Sequence, residues 1–242
     1  MGFVDLHDHL LWGIDDGCET PEQTLEAARL LLSLGFDEVA PSPHAVPELP
    51  SRDPSLCEER REEVAALLAG EGIALALHPN AENKLDEEFL ARAADPHLRR
   101  GIGAIARWVL VEAPFEAHLP ALPDLVFRLR RKGVQPLFAH PERCLEFERP
   151  GRAEEVVRLG GAHQLNLGAL TGLYGRLARR QAERFLAEGL YAVAATDLHQ
   201  PREARRWLEA GMRALEKRAG AAGVRQLCAD NPRRILRGEE LA

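Results

Sequence analysis

His7 and His9 are separated by a single residue, a spacing that puts both imidazoles on the same face of an extended segment, where they can chelate one cation. Asp15 and Asp16 follow in an Asp-Asp-Gly turn that can bend a carboxylate back toward the same place, and one of the two suffices. His44, Glu82, Glu112, His140 and the pair Asp197 and His199 each stand at or just after the end of a predicted strand. Imidazole nitrogen and carboxylate oxygen are suitable ligands for zinc, iron or manganese, and a bridging carboxylate can hold two cations close together. Singly, each residue reads as an ordinary buried or surface histidine or as a solvated acid. Their shared position at strand ends makes them a candidate metal centre.

Such side chains meet only if the strands deliver them to one end. Short apolar runs alternate with longer helical patterns along the chain, the rhythm of successive βα units, and the C-terminal ends of parallel barrel strands converge on one mouth. The predicted strands are Phe3 to His7, Glu38 to Ala40, Ile73 to Leu77, Trp108 to Glu112, Pro136 to His140, His163 to Leu167 and Tyr191 to Thr196. Helices are expected at about 55–70, 86–94, 121–132, 152–159, 176–188, 202–219 and 221–228, and Ser42 to Pro54 reads as a loop. The first helix shows its signals openly. Thr20 and Gln23 have capping-box spacing, Pro21 suits the first helical position, Gly35 suits the C-terminal cap, and Leu25, Ala28 and Leu32 share one face. At 242 residues, the whole chain, 1–242, is expected to form one α/β domain.

These motifs resemble, in order, the PHP (polymerase and histidinol phosphatase) superfamily, and most nearly its bacterial capsule-associated, metal-dependent tyrosine-protein phosphatases. The resemblance runs from Val4-Asp-Leu-His-Asp-His through Asp15-Asp-Gly, Ser42-Pro-His, Ala81-Glu, Val111-Glu and Ala139-His-Pro-Glu-Arg to Ala195-Thr-Asp-Leu-His199. It implies a distorted seven-stranded (β/α) barrel holding two or three divalent metal ions, with manganese preferred and zinc or iron also accommodated. By the same resemblance His7, His9, Glu82 and Asp197 hold the first metal, Glu82, Glu112 and His140 the second, and Asp16, His44 and His199 the third. Arg143 resembles the family's phosphate-contacting arginine, its planar fork suited to phosphate oxygens, while either a third metal or Asp197 with His199 is expected to assist leaving-group protonation. Asn83-Lys84 and a short, Pro-rich loop before His44 depart from the family's usual pattern.

The implied substrate is phosphotyrosine on a protein, a bacterial tyrosine kinase of polysaccharide synthesis or export, with inorganic phosphate as product. Cations of this kind polarise a phosphoryl group and lower the pKa of a coordinated water, so no protein nucleophile is needed. The alternatives are a small-molecule phosphatase such as one acting on histidinol phosphate, a nuclease of the same superfamily, or a noncatalytic metal-binding module. A formal charge of -7 disfavours nucleic acid.

Cys228 and Arg234 match the C-x5-R spacing of cysteine phosphatases, but the intervening Ala-Asp-Asn-Pro-Arg has no glycine, and Pro232 has no amide hydrogen for a phosphate cradle. Cys18, Cys57, Cys144 and Cys228 form no CxxC pair, and no apolar run reaches the length of a membrane span, so a cytoplasmic location is expected. Gln164 and Asn166 alternate on a predicted strand and are candidates to line the mouth. His78, His97, His118 and His163 read as structural or exposed, and Arg130, Arg131, Arg202, Arg205 and Arg206 as helix-surface charges or as attractors of an anionic peptide.

Overall fold

Strands and helices alternate along most of the computed structural model, which describes residues 2–95 and 98–241. The strands are β1 (Phe3–Asp5), β2 (Phe36–Val39), β3 (Ala76–Leu77), β4 (Glu82–Lys84), β5 (Trp108–Glu112), β6 (Gln135–Phe138), β7 (Ala162–Asn166) and β8 (Tyr191–Ala195). The helices are α1 (Pro21–Ser33), α2 (Pro54–Gly70), α3 (Glu87–Arg92), α4 (Leu122–Arg131), α5 (Arg152–Arg158), α6 (Gly175–Ala187), α7 (Pro201–Arg225) and α8 (Asn231–Leu236). All strand pairings are parallel, in one sheet ordered β1-β2-β3 and a second ordered β4-β5-β6-β7-β8. Single parallel bridges join the sheets on both flanks, Asp8 to Leu198 and His44 to Glu82.

The strand count differs from the expected seven: among the described residues there are eight strands, in two sheets rather than one ring. The additional strand is Glu82–Lys84, too short and too polar to announce itself. Of the predicted 73–77 run only Ala76 and Leu77 pair, because the Ile73 amide instead donates to Leu68 O at the end of α2.

Alternation along the strands explains how the site is assembled. On β5, Val109 and Val111 belong to the larger core under the helices, with Phe36, Phe138 and Phe185. Trp108 and Leu110 belong to a smaller core with Val4, Leu137 and Val193. The period of two that buries Trp108 and Leu110 on this inner side sends the next residue in phase, Glu112, to the same side at the strand's end. Both faces of the five-stranded sheet are covered, so every residue of β6 and β7, and all of β5 but Glu112, is buried whether apolar or polar.

On α1, Thr20 accepts a hydrogen bond from Gln23 N at 3.4 Å and Pro21 occupies the first turn. Its most buried face is Thr24, Ala27, Ala28 and Leu31, one position away from the expected Leu25, Ala28 and Leu32 stripe. The Thr24 hydroxyl donates to Leu10 O at 2.8 Å, which fixes that rotation. The two predicted C-terminal helices meet at Gly220, whose backbone is non-helical (φ 67°, ψ 174°) inside α7.

Candidate metal centre

Each candidate ligand reaches the mouth by a local device. The turn after β1 folds Asp15 onto His9, with Asp15 Oδ2 2.7 Å from His9 Nδ1 while Oδ1 accepts from Gly17 N. Gly17 is required there: a Cβ would lie 2.2 Å from His9 O and 2.4 Å from His9 Cβ, so no larger residue lets the turn close. His140 and Asp197 both adopt left-handed backbone, φ 30° and 53°, which costs a non-glycine residue on the order of 1–3 kcal/mol. The surroundings hold that strain. Gln164 Oε1 accepts from His140 N at 3.2 Å, and Asp197 N donates to His7 O at 2.7 Å across the β1–β8 flank.

Glu82 lies at the centre, 1% exposed. Its Oε1 accepts a hydrogen bond from His140 Nε2 at 3.1 Å. Its Oε2 is ringed by His44 Nδ1 at 3.0 Å, His7 Nε2 at 3.4 Å and His9 Nε2 at 3.8 Å. Yet Oε2 accepts no hydrogen bond, because those nitrogens are poorly aligned to donate. Asp197 Oδ1 approaches His7 Nε2 at 3.2 Å and His9 Nε2 at 3.6 Å. Toward the rim, Asp16 Oδ1 lies 3.3 Å from His44 Nε2 and 3.4 Å from His199 Nε2, and the His9 and His199 rings stack with centroids 3.9 Å apart.

The charges are strongly coupled. Burial opposes ionisation of Glu82, but the His7 charge and the His140 hydrogen bond hold it well below the usual carboxylate range. Burial also opposes protonation of His7, and the Glu82 and Asp197 charges override it, to about 9. Glu112 goes the other way, raised to about 7 first by burial and then by its neighbour Glu82. Hydrogen bonds from His199 and His44 hold Asp16 far below its ordinary value.

Nine side chains named from the sequence, His7, His9, Asp16, His44, Glu82, Glu112, His140, Asp197 and His199, fall into four overlapping groups whose ligand atoms lie within 4.8 Å of one another. The groups are His9, Asp16, His44 and His199; His7, His9 and Glu82; His7, His140 and Asp197; and His44, Glu82 and Glu112. This division departs from the threefold assignment the resemblance implied: His9 also reaches the rim group, and His44 faces Glu82 with one nitrogen and Asp16 with the other. A buried carboxylate oxygen encircled by imidazoles but lacking a hydrogen bond is an arrangement that a divalent cation completes, and the nitrogen and oxygen donors suit manganese, zinc or iron.

Other side chains that the sequence placed at the mouth hold the donors in position, joined by Phe115 and Tyr174, which it did not single out. Gln164 Oε1 lies 3.0 Å from His7 Nδ1, which aims His7 Nε2 inward, and Asp15 orients His9 likewise. Asn166 Nδ2 donates to Asp197 Oδ2 at 2.7 Å and meets the Tyr174 hydroxyl at 3.0 Å. Arg143 Nη1 donates to Asp197 Oδ2 at 3.1 Å, with its guanidinium carbon 4.5 Å from the Phe115 ring centroid and 4.1 Å from that of Tyr174.

The remaining candidates lie apart. Cys228 is fully buried, its thiol pushed up to about 12 by burial, and Arg234 bonds Glu240 O and pairs with Glu239. His78 pairs with Glu38, His118 is exposed near Glu146, and His163 is buried against Ala153 O. His97 lies outside the described residues.

Fold and site together define a parallel α/β protein with a candidate metal centre at the C-terminal mouth of its strands. Residues 3–237 match the model of the CpsB/CapC family of capsular polysaccharide synthesis, and the chain belongs to that family. Among curated relatives, the tyrosine-protein phosphatase YwqE of Bacillus subtilis (strain 168) is 26% identical over 98% of this chain and 93% of its own length. The tyrosine-protein phosphatase CpsB of Streptococcus pneumoniae is 22% identical over 96% of this chain and 98% of its own. A crystal structure from work on YwqE and CpsB, described as unique metal-dependent tyrosine phosphatases, matches with a TM-score of 0.88 at 26% identity, covering 99% of this chain and 96% of that one.

Proposed function

We propose that this chain is a metal-dependent protein-tyrosine phosphatase. The observation that carries the reading is the gathering of nine nitrogen- and oxygen-bearing side chains into four overlapping groups at the mouth, with Glu82 Oε2 unbonded among His7, His9 and His44 and the Arg143 guanidinium one carboxylate away. In this reading His7, His9, Glu82, Glu112, His140 and Asp197 hold cations in the depth of the mouth, and Asp16, His44 and His199 hold one at the rim. Bound there, divalent cations supply Lewis acidity toward a phosphoryl group and a water nucleophile at neutral pH. Gln164 and Asp15 keep the two imidazoles of the His7-x-His9 pair in one tautomer. Arg143, pinned by Asp197 and flanked by two rings, offers its remaining N–H groups to phosphate oxygens. Asp197 and His199, with Oδ1 and Nδ1 3.6 Å apart, would assist departure of the leaving oxygen, Asp197 in its ionised form, since burial opposes its ionisation but the His7 charge and the His9 hydrogen bond hold its carboxyl well below the usual range.

The finer parts belong to the same proposal. One domain closes as a distorted barrel, a reading supported by the bridges on both sheet flanks. Manganese is the preferred ion, a phosphorylated bacterial tyrosine kinase is the substrate, and the cytoplasm is the location, in keeping with four unpaired, buried cysteines. No helix among the described residues is long and apolar enough to cross a membrane. The test is turnover of a phosphotyrosyl peptide against histidinol phosphate and single-stranded DNA, with manganese, zinc or iron added to chelator-stripped protein. Preferential, metal-restored hydrolysis of the phosphotyrosyl peptide is expected; hydrolysis of none of the three with any of the metals refutes the reading.

A further inference from the structure

Beside the ligand cluster runs a groove of about 320 Å³ lined by Phe115, Glu142, Arg143, Glu148, Tyr174, Leu177 and Ala178. Three successive connections at the mouth and one helix build it: Phe115 follows β5, Arg143 follows β6, Tyr174 follows β7, and Leu177 lies in the first turn of α6. Its inner end is Arg143, whose Nη1 lies 3.1 Å from Asp197 Oδ2, and Asp197 Oδ1 lies 3.2 Å from His7 Nε2. The groove therefore starts one guanidinium away from the ligands. Phe115 spans both regions, with its ring 5.4 Å from that of His140 and its face over Arg143.

Two features say what this groove takes. Phe115 is 37% exposed and Leu177 50%, apolar surface left in water next to an otherwise polar mouth. The inner end presents a cation whose guanidinium carbon lies over both the Phe115 and the Tyr174 ring, so its N–H edge is left for an anion and the exposed apolar surface of the walls for a flat hydrophobic group. His7, His9, Glu82, His140 and Asp197 are nearly or fully buried, so a phosphate must reach inward to meet them. A phosphorylated serine would drag its peptide backbone toward that depth. An aryl ester holds the backbone out beyond the rim on a rigid spacer.

We propose that Phe115, with Tyr174 and Leu177, forms an aryl subsite that receives the phenyl ring of a phosphate monoester while its phosphate meets Arg143, and that Phe115 sets selectivity for phosphotyrosine over alkyl phosphates. The inference rests on the phosphatase reading and adds the residues that choose the substrate. Phe115 also steadies Arg143, so the quantity that reports the subsite is the aryl-to-alkyl ratio rather than either value alone.

The experiment is calorimetric binding of phenylphosphonate and methylphosphonate to the manganese-loaded protein, alongside kinetics on a phosphotyrosyl and a phosphoseryl peptide. The parent is expected to bind phenylphosphonate about tenfold tighter. Phe115→Ala brings the ratio near unity and raises KM for the phosphotyrosyl peptide more than it lowers kcat, while Phe115→Tyr retains the preference. Leu177→Ala, on a separate and exposed element, reduces it in the same direction. Equal binding of the two phosphonates by the parent, or an unchanged ratio in Phe115→Ala, overturns the subsite while leaving the phosphatase reading standing. A parent that prefers phenylphosphonate but hydrolyses no phosphomonoester overturns the phosphatase reading and keeps the aryl groove.

Discussion

The two ends of the strand layer are built on opposite terms. At the base, Trp108, Ile102 and Ile235 pack with Leu110 and Leu137 in a dry cluster, and the C-terminal segment crosses it, with Trp108 Nε1 donating to Glu239 O at 2.8 Å. Polar groups there are matched: Arg107 pairs with Glu240 at 2.7 Å and bonds Gly238 O at 3.2 Å. At the mouth, buried acids and imidazoles crowd together, Glu82 Oε2 and His140 Nδ1 lack hydrogen bonds, and His140 and Asp197 sit in strained backbone. Apart from the left-handed Ala106, the base follows the rules of a stable core, whereas the mouth breaks them repeatedly where ligands must converge. That contrast locates function without reference to any relative.

Breaking the mouth should abolish function without unfolding the chain. Glu82→Ala is expected to lower metal content and cut phosphatase activity by more than about a hundredfold, read by elemental analysis and kinetics on the same preparation. His7→Ala and Asp197→Ala should follow it. Normal metal stoichiometry in all three would contradict the assignment. Breaking the base should do the reverse: Trp108→Ala removes a large buried side chain and is expected to cost about 3–5 kcal/mol in denaturant unfolding while metal content stays near normal.

Arg143→Ala sharpens the boundary between holding cations and holding substrate. Metal content should persist, while phosphate inhibition and turnover weaken by about 10- to 100-fold, the loss of a charge-assisted contact; Arg143→Lys should recover part of it. Parent-like phosphate binding by Arg143→Ala would move the contact elsewhere, with Arg202 the next candidate.

A smaller effect tests the core behind β7. Burial pushes the His163 imidazole down to about 4, so it stays neutral in the folded protein while the unfolded chain protonates near its ordinary value of 6.5. Its contribution to stability is therefore complete above about 6.5 and is lost as pH falls toward 4, up to about 3 kcal/mol over that window. His163→Gln should flatten that part of the stability profile, and an unchanged profile would place the titration elsewhere. The smallest expected effect is that of Cys228→Ser, which should leave hydrolysis largely intact, since a buried thiol pushed up to about 12 is no nucleophile; loss of activity in a folded, metal-loaded variant would reverse that view.

How much of this was legible beforehand follows from what each feature depends on. The nine donors stand out because their residue types are rare at the ends of apolar runs, and the helix positions follow from caps and glycines such as Gly35 and Gly220. β4 was hidden because three residues led by the ligand Glu82 carry no apolar period. The parts played by Gln164 and Asp15 depend on which ring nitrogen each one meets, and the Phe115–Arg143–Tyr174 stack on three loops meeting in space. Neither is written in local spacing. That His44 turns a different nitrogen to Glu82 and to Asp16 was likewise not legible, since it depends on the orientation of one ring.

The central claim is tested most directly by anomalous diffraction from crystals grown with manganese and phosphate. The account predicts more than one anomalous peak among the nine donors, at least one bound by Glu82, with phosphate between those peaks and Arg143. An anomalous map with no peak within coordination distance of Glu82, from protein that is folded and active, would contradict it.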